Sequence, residues 1–510
     1  MKRFWVVMLS LGLIAAFAMP AAAVDVKVSG QYYVQGFIAD NPSLLDKSTQ
    51  ASNDPSWASN ANRSAAKMID QRLRVNTEFK VQEGLKLVTR FDALENMWGS
   101  TVWSGWSNPA TMQQTEGRYS NGAAGAYASQ NINFSRVYMD ITTGIGQFLV
   151  GYQNFTSWGN NWVTSNNTYP GIKYIGKVGN FTGVLAIEKR QEPALDLYQG
   201  GAAGNPAIGR GMDSDKEVYD AGFIYAFKQG QAGFIWQQLR NPNAKFAEGR
   251  TTAVGTGSVS ALSVLLPTAK FNFGNFDLML DGIYIFGSLA KYEDAGKNLG
   301  RKDIDATQIG GQINAKYTFK PVSIGGKFAY VSGDDNQDVT KVTGSLMYAL
   351  NGNRTKNDCL ILWNSDYVDA MGPMFGNTTV ADRNLRTSAP YYNSYYMDNV
   401  WFYQLYADVA PMAKMNIHAA LTYATADKKP KNDVGTVGSA GALTGATVKE
   451  FTSDKYGTEF DLTVSYKIFD NLEYMVGGGY LWVGDYFKGY DNNAKTKDNY
   501  LLTHKLTLTF

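Results

Sequence analysis

The sequence predicts an all-β fold, a transmembrane antiparallel β-barrel of about 18 strands, within a range of roughly 16 to 20. Apolar and polar residues alternate with a period of two, which is typical of strands with one apolar and one polar face. Short turns alternate with long polar loops, as periplasmic turns and extracellular loops do in such barrels. The amino-terminal residues have the pattern of a secretory signal peptide, so the strands are expected to belong to an exported protein.

The first element is the predicted signal peptide, residues 1–23. Lys2 and Arg3 precede a mostly apolar run, and the alanines at 21–23 supply an A-x-A cleavage pattern. A membrane-anchoring helix is the alternative, but the apolar run is short for a full span. Cleavage would leave residues 24–510 as one barrel domain, because neither a Pro/Ser-rich linker nor a later helical span divides the chain.

The hairpins follow, and the segment 67-KMIDQRLRVNTEFKV-81 shows the alternation most clearly. The turn at residues 82–84 leads into a second alternating run, which completes a hairpin. The same unit recurs and predicts strands at 26–39, 67–81, 85–95, 131–142, 146–153, 171–178, 181–190, 217–228, 231–240, 257–273, 276–288, 304–319, 322–333, 398–412, 415–427, 456–468, 472–487 and 499–510. Two long connections stand out, a loop near 154–171 and an extracellular loop near 334–399.

The alternation alone fits a soluble sandwich, in which two apolar faces meet, as well as a barrel whose apolar face meets lipid. Export and the alternation of short turns with long loops favour the barrel. Aromatic residues also cluster near strand ends on the apolar parity, as in the girdles of membrane barrels. These residues are Phe271, Phe273, Tyr317, Phe319, Tyr480 and Trp482.

The chain resembles the porins of the Gram-negative outer membrane, and most closely the porin-like barrels of metal- and sulfate-reducing bacteria. The resemblance is carried by 26-VKVSGQYYVQGF-37, 136-RVYMDITTGIGQFLVGYQ-153, 325-GGKFAYVSGDD-335, 457-GTEFDLTVSYKIFDNLEYMVGGGYLWVGDYF-487 and the terminal Phe510. It implies a water-filled channel in the outer membrane for passive diffusion of small hydrophilic solutes and ions, and a homotrimer.

Charged residues on the polar parity of three consecutive strands are the candidate pore lining. They are Arg72, Arg74, Arg90, Asp92, Arg136 and Asp140. In the third strand Ile132 and Phe134 share the parity of Arg136, which a β-bulge near Ser135 or a later strand start would reconcile. The four arginines form either a basic strip with weak anion preference or structural bridges to neighbouring aspartates, and both interpretations stay open.

By the same resemblance, the loop near 154–171 is expected to fold inward and narrow the pore. Its candidate constriction residues are Trp158, Asn160, Asn161, Trp162, Asn166, Asn167 and Tyr169. The loop has no charged residue, whereas many general porins place acidic residues there, so a strong transverse field is not expected. An exposed surface loop is the alternative.

The rest of the interior is predicted to be wet and mixed in charge, without an apolar pocket. Its inward-facing charges are Asp277, Asp281, Asp408, Glu459, Asp461, Glu473, Lys270, Lys316, Lys327, Lys467 and Lys505. The near balance of 47 basic and 45 acidic residues argues against nucleic-acid binding. The single cysteine, Cys359, and the two histidines, His418 and His504, predict no catalytic site, metal site or cofactor.

The expected surroundings are outer-membrane lipid and lipopolysaccharide, with Lys428, Lys429 and Lys431 as candidates for contact with its phosphates or as a plain solvated loop. The last strand should close the barrel against the first. Phe510 at its end resembles the signal read by outer-membrane assembly machinery, while His504 is unexplained on the lipid-facing parity. The alternative function is a scaffold barrel that supports an extracellular electron-transfer or envelope complex.

Overall fold

The computed structural model describes most of the chain after residue 23. The described residues are 24–41, 44–46, 65–98, 132–155, 157–160, 162, 168–191, 215–244, 258–298, 300–335, 337–338, 340–344, 346, 359–364, 397–437, 443–490 and 492–510. The predicted signal peptide and most of the 334–399 loop lie outside them. In this part of the chain no helix is both long and apolar enough to cross a membrane.

The described chain is almost entirely strand. In order the strands are β1 (Asp25–Asp40), β2 (Ala65–Gln82), β3 (Leu85–Met97), β4 (Ile132–Thr143), β5 (Gly146–Asn154), β6 (Thr168–Val178), β7 (Phe181–Gln191), β8 (Lys216–Phe227), β9 (Gly230–Ala244), β10 (Ser258–Phe273), β11 (Phe276–Tyr292), β12 (Ile304–Phe319), β13 (Val322–Val331), β14 (Lys341–Val342), β15 (Val400–Met412), β16 (Met415–Thr425), β17 (Lys431–Val437), β18 (Leu443–Glu450), β19 (Lys455–Phe469), β20 (Leu472–Val483) and β21 (Asn499–Thr509). A short helix, α1 (Asp294–Asn298), follows β11.

The main sheet closes on itself. It holds 19 strands, one of which is the two-residue β14, so 18 strands form the wall. Successive wall strands pair antiparallel, and β1 pairs with β2 on one side and with β21 on the other. The register of the closing pair runs from Gln31 opposite Thr509 to Asp40 opposite Tyr500. The predicted fold class, an antiparallel barrel of 18 strands, is confirmed.

Tight turns connect the strands at one end of the barrel, which we call the turn side. We call the opposite end the loop side. Gly84 and Gly274 sit in two of these turns with φ of 77° and 72°. A side chain disfavours this left-handed region, so glycine fits there. The turns fix the register of each hairpin, and the register fixes which face each side chain occupies.

The outer face of the wall is apolar and carries aromatic belts. Large hydrophobic side chains alternate along each strand, and about half of each stays exposed, as in Phe273 (55%) and Trp482 (49%). Pairs of aromatic rings lie near both ends of the wall. Phe271 and Phe273 on the turn side have centroids 5.9 Å apart, and Tyr480 and Trp482 on the loop side have centroids 4.9 Å apart. An apolar band between aromatic belts suits a lipid environment.

The inner face differs between the two ends. On the turn side it is polar, with Lys316 3.9 Å from Asp277 as one example. On the loop side it is packed with apolar side chains that have no exposed surface, such as Val264, Ile285 and Phe402. An outward-facing side chain of the wall would be exposed, so these point inward. The prediction of a wet interior was therefore wrong for the loop side, where described loop segments fold in and exclude water.

Several predicted boundaries shift. The predicted strand 472–487 ends at Val483, and a 3₁₀ helix, Asp485–Lys488, follows it. The loop before β19 contains a hairpin, β17–β18, that the sequence analysis missed. Lys429 precedes this hairpin and Lys431 begins it, and they approach Glu450 within 3.6 Å and 4.0 Å. Contact of these lysines with lipopolysaccharide stays a prediction.

The closing seam explains the histidine on the outer face. The Gly30 N–H donates to the Phe510 carbonyl at 2.7 Å, and the Phe510 N–H donates back at 3.0 Å. The Phe510 ring covers Gly30, and the His504 ring covers Gly36 and lies 6.1 Å from the Tyr474 ring. His504 thus fills the space that a glycine leaves on the neighbouring strand. The same rings cover Gly30 and Gly36 on the outer face of β1, and the homotrimer stays a prediction.

Candidate functional site

The predicted arginine strip lies on the inner face of β2, β3 and β4. Arg74 is opposite Asp92, and Arg90 is opposite Arg136. The register slips between β3 and β4 so that Ser135 is the extra residue, which confirms the predicted bulge. The bulge lets Phe134 on one side of it and Val137 on the other both stay exposed on the outer face.

Two of these arginines are paired with carboxylates. Arg74 makes a bidentate bridge to Asp92, with Nε and Nη2 at 2.6 Å and 2.8 Å from the two carboxylate oxygens. Arg72 approaches Glu95 at 3.4 Å. The structural-bridge interpretation therefore describes the geometry of Arg74, and Arg72 also makes a bridge, but to a glutamate instead of a predicted aspartate.

The other two arginines are placed differently. Arg90 Nε donates to Ser135 Oγ at 2.7 Å. The Nε of Arg136 is buried and has no hydrogen-bond acceptor among the described residues. Asp140 lies nearer the turn side and accepts a hydrogen bond from Gln147 at 2.8 Å.

The described part of the 154–171 loop crosses to the opposite wall. Trp158 Nε1 donates to the Leu266 carbonyl of β10 at 2.9 Å. The side-chain amide of Asn160 lies 3.1 Å from the Ala269 carbonyl of β10 and 3.1 Å from Asp281 Oδ1 of β11. The Asn160 backbone N–H also donates to Asp281, at 3.2 Å. Asn160 therefore anchors the loop segment on the inner face of β10 and β11.

The remaining candidate residues of this loop are only partly described. Trp162 is 3% exposed and packs into the apolar cluster of the loop side. Tyr169 lies under the guanidinium of Arg190, with the Arg190 Cζ 4.7 Å from the ring centroid. Asn161, Asn166 and Asn167 lie outside the described residues.

A second charged cluster on the inner face was missed by the sequence analysis. Glu188 and Arg190 of β7 are nearly inaccessible and pair at 2.9 Å. Lys173 of β6 donates to the Asn154 carbonyl at 2.6 Å and so holds the start of the inward loop. Asp220 of β8 accepts a hydrogen bond from a β9 glutamine at 2.9 Å. The period-two parity of β7 and β8 was the available signal, because it places these charges on the inner face.

A second segment, residues 359–364 of the long loop, also lies inside the barrel. The backbone N–H groups of Ile361 and Leu362 donate to the two oxygens of Glu459, at 2.6 Å and 2.9 Å. The N–H of Leu360 donates to Asp461 at 3.2 Å. Trp363 is fully buried and packs edge-on against two aromatic rings of the wall. Two carboxylates that parity placed on the inner face thus hold a loop rather than line an open lumen.

One histidine faces the polar, turn-side interior. His418 Nδ1 lies 2.8 Å from Asp408 Oδ1 of the neighbouring strand. Tyr406 lies two residues before Asp408 on the same strand and points to the same face. Its hydroxyl donates to Asn314 at 2.8 Å. The pair adds a titratable group to the inner wall but has no serine or cysteine nucleophile in hydrogen-bond contact within the described chain.

The fold and the inner wall together define a closed 18-strand barrel with inward-folded loop segments. No family model matches the chain, and no curated protein matches it. Solved structures similar to it include a BenF-like porin from Pseudomonas fluorescens Pf-5, at 12% identity and a TM-score of 0.46, covering 95% of this chain and 99% of that one.

Two further similar structures cover nearly the same span. One is Pseudomonas aeruginosa OccK2 (OpdF) in complex with glucuronate, at 12% identity and a TM-score of 0.45, covering 95% of this chain and 98% of that one. The other is OmpTdeltaL8, a loop deletion mutant of OmpT, an outer membrane protein of Vibrio cholerae, at 9% identity and a TM-score of 0.36, covering 96% and 100%. These identities and scores assign no solute, partner or bacterial group to this chain.

Proposed function

We propose that this protein is an outer-membrane channel through which small hydrophilic solutes and ions diffuse passively. The observation that carries the proposal is the division of faces in a closed barrel. The outer face is apolar between aromatic belts, and the turn-side inner face carries charged side chains such as Lys316 and Asp277. A lipid-facing outside with a charged inside is the arrangement of water-filled membrane barrels.

The loop segment anchored by Asn160 would narrow this channel, because it spans from β5 to the inner face of β10 and β11. The polar path would then run between that segment and the arginine-bearing wall of β2 to β4. The described segment offers amide, hydroxyl and indole groups but no charge. Selectivity would accordingly arise from the charged wall rather than from the loop.

The decisive experiment is ion conductance of the purified protein, without partners, in a planar lipid bilayer. We expect discrete single-channel steps.

The contrary result, a folded barrel that gives no steps, would support the alternative scaffold function. The densely packed loop-side interior is the observation that favours that alternative, because a filled mouth can brace a partner without passing solute. Co-purification with a haem protein would then be the next measurement.

A weak anion preference is the finer part of the proposal. It rests on the predicted basic strip and within it on Arg136, whose Nε has no hydrogen-bond acceptor among the described residues, whereas Arg74 and Arg72 are paired with carboxylates. We expect Arg90→Ala and Arg136→Ala each to shift the reversal potential in a salt gradient toward cations. The matched control is the double variant Arg74→Ala with Asp92→Ala, which removes a bridge without changing the net charge. If the single variants leave the ion preference unchanged, the anion preference is wrong.

Assembly in the outer membrane is proposed to depend on the closing seam. Removing Phe510 would delete two backbone hydrogen bonds to Gly30 and uncover that glycine. Unpaired backbone groups are costly in a bilayer, so we expect surface levels to fall several-fold while the conductance of assembled channels stays the same. Surface labelling of intact cells measures the first quantity and bilayer recording the second. Normal surface levels of the shortened protein would contradict this.

A further inference from the structure

The inner segment 359–364 meets the wall at a compact group of metal-ligating side chains. Cys359, Glu459 and Asp461 are all buried, and each offers one ligand atom within 4.8 Å of the others. One of the three comes from the loop, and two come from the inner face of β19. We propose that these three residues bind a divalent transition metal of the zinc class, which clamps the segment to the barrel wall.

An unsatisfied oxygen points to a missing ligand at this place. Asp461 is 3% exposed, and its Oδ1 has no hydrogen-bond donor among the described residues apart from a proton that Glu459 would have to share. A buried carboxylate oxygen without a partner costs free energy, so such atoms call for an explanation. Its other oxygen, Oδ2, is already used by the Leu360 N–H. A cation beside Oδ1 would satisfy it.

The opposite side of the group is lined by Gly479, whose missing side chain leaves a small space that the Leu360 Cβ atom also borders. A methyl group at Gly479 would lie 2.6 Å from Asp461 Oδ1 and 3.6 Å from Glu459 Oε1. Both oxygens therefore face the same small space above the Gly479 backbone. Tetrahedral zinc sites hold thiolate and carboxylate ligands about 3.4–3.6 Å apart, so side-chain shifts of about an ångström would close this group around an ion.

The mixture of ligands selects the class of metal. A thiolate is a soft ligand that suits zinc or a neighbouring transition metal, whereas calcium and magnesium take oxygen ligands alone. Binding would release the Cys359 proton and any proton shared by the two carboxyl groups. The Thr422 hydroxyl, 3.5 Å from the Cys359 sulfur, is positioned to hydrogen-bond the resulting thiolate.

The surrounding hydrogen bonds already orient the ligands. Consecutive N–H groups from residues 360 to 362 hold both carboxylates. Partners of this kind fix ligand geometry in metal sites, and their loss typically costs roughly 10–100-fold in affinity. The same peptide groups connect the ion to the loop, so metal occupancy and the position of the segment would be coupled.

The test titrates the purified, metal-stripped full-length barrel with Co²⁺ alone. We expect about one equivalent to bind, with a thiolate-to-cobalt absorption band in the near ultraviolet that Zn²⁺ abolishes. Cys359→Ser should lose the band, and Gly479→Ala should weaken binding by at least about tenfold, because its methyl enters the site. Glu188→Gln, which changes an equally buried carboxyl on β7, is the control and should keep the band.

The wild-type measurement decides even if a variant fails to fold. A folded wild-type barrel, judged by its heat-modifiable migration in electrophoresis, that binds Co²⁺ without the thiolate band overturns the proposal. So does a wild-type barrel that binds no metal, and the two carboxyls would then share a proton instead. Conductance is recorded separately, with and without chelator, so failure of the metal site and failure of the channel function are distinguishable.

Discussion

The two inward-folded segments are held to the barrel wall in opposite ways. The segment around Trp158 and Asn160 is half-buried. It is anchored mainly by its own side chains, which donate hydrogen bonds to Asp281 and to backbone carbonyls of β10. The segment 359–364 is held by its own backbone N–H groups, which donate to buried carboxylates of the wall, and by a fully buried tryptophan.

The difference determines which segment a single substitution can release. One substitution in the loop removes a side-chain anchor such as Asn160, so the position of this segment can change while the residues of the wall stay the same. Backbone donors are present in every residue type except proline, so the second segment keeps its anchors through most substitutions. Its vulnerable points are instead the acceptors on the wall and the packing of Trp363.

The largest effect is expected from Trp363→Ala. Removing a fully buried tryptophan typically costs about 3–5 kcal/mol, because it leaves a cavity between two aromatic rings. We expect a lower urea midpoint of unfolding in lipid vesicles and a larger single-channel conductance as the segment loosens. Trp482→Ala, which removes a half-exposed tryptophan from the outer belt, is the matched control and should leave conductance unchanged.

An unaltered conductance in folded Trp363→Ala channels would contradict a role of Trp363 in holding the segment 359–364. It would mean that the segment 359–364 stays in place through its backbone hydrogen bonds alone. The stability loss would then belong to the aromatic cluster of the loop side and not to the placement of the segment.

A smaller effect is expected from Asn160→Ala. The change removes the amide that contacts the Ala269 carbonyl and Asp281, and the net contribution is about 0.5–1.5 kcal/mol for the bond to the carbonyl and about 1.5–3 kcal/mol for the bond to the carboxylate. We expect more open-channel noise, a modest rise in conductance and a fall in the urea midpoint that is smaller than that of Trp363→Ala. Ser157→Ala, an exposed neighbour in the same segment, should behave like the wild type. Quiet, unchanged channels in Asn160→Ala would show that the loop is held elsewhere.

The sequence predicted the wall well because the wall obeys local rules. Parity placed Arg74 and Asp92 on the inner face, and the conflict of parity around Ser135 predicted the bulge that the register shows. Each of these inferences needs only residues that are near in sequence or on adjacent strands. Strand number and closure follow from the same repeated unit.

The contents of the barrel were less predictable, because they depend on contacts between distant residues. Glu459 was placed on the inner face, but its partners at 361 and 362 are about a hundred residues away, with no pattern linking them. A local signal did exist: 359-CLILW-363 is a short apolar run inside a polar loop, which is typical of buried chain. Neither the hairpin β17–β18 nor the apolar loop-side interior has a comparably simple signal.

The smallest effect is expected from Trp158→Phe, which tests a single hydrogen bond of the Trp158 segment. Trp158→Phe keeps an aromatic ring against the apolar cluster but removes the indole N–H that donates to the Leu266 carbonyl at 2.9 Å. A neutral hydrogen bond contributes about 0.5–1.5 kcal/mol, so the urea midpoint should fall slightly and conductance should hardly change. Trp158→Ala, which also removes the ring, should raise conductance more. Equal effects of the two variants would mean that the indole N–H alone positions Trp158, and that packing contributes nothing to holding this segment.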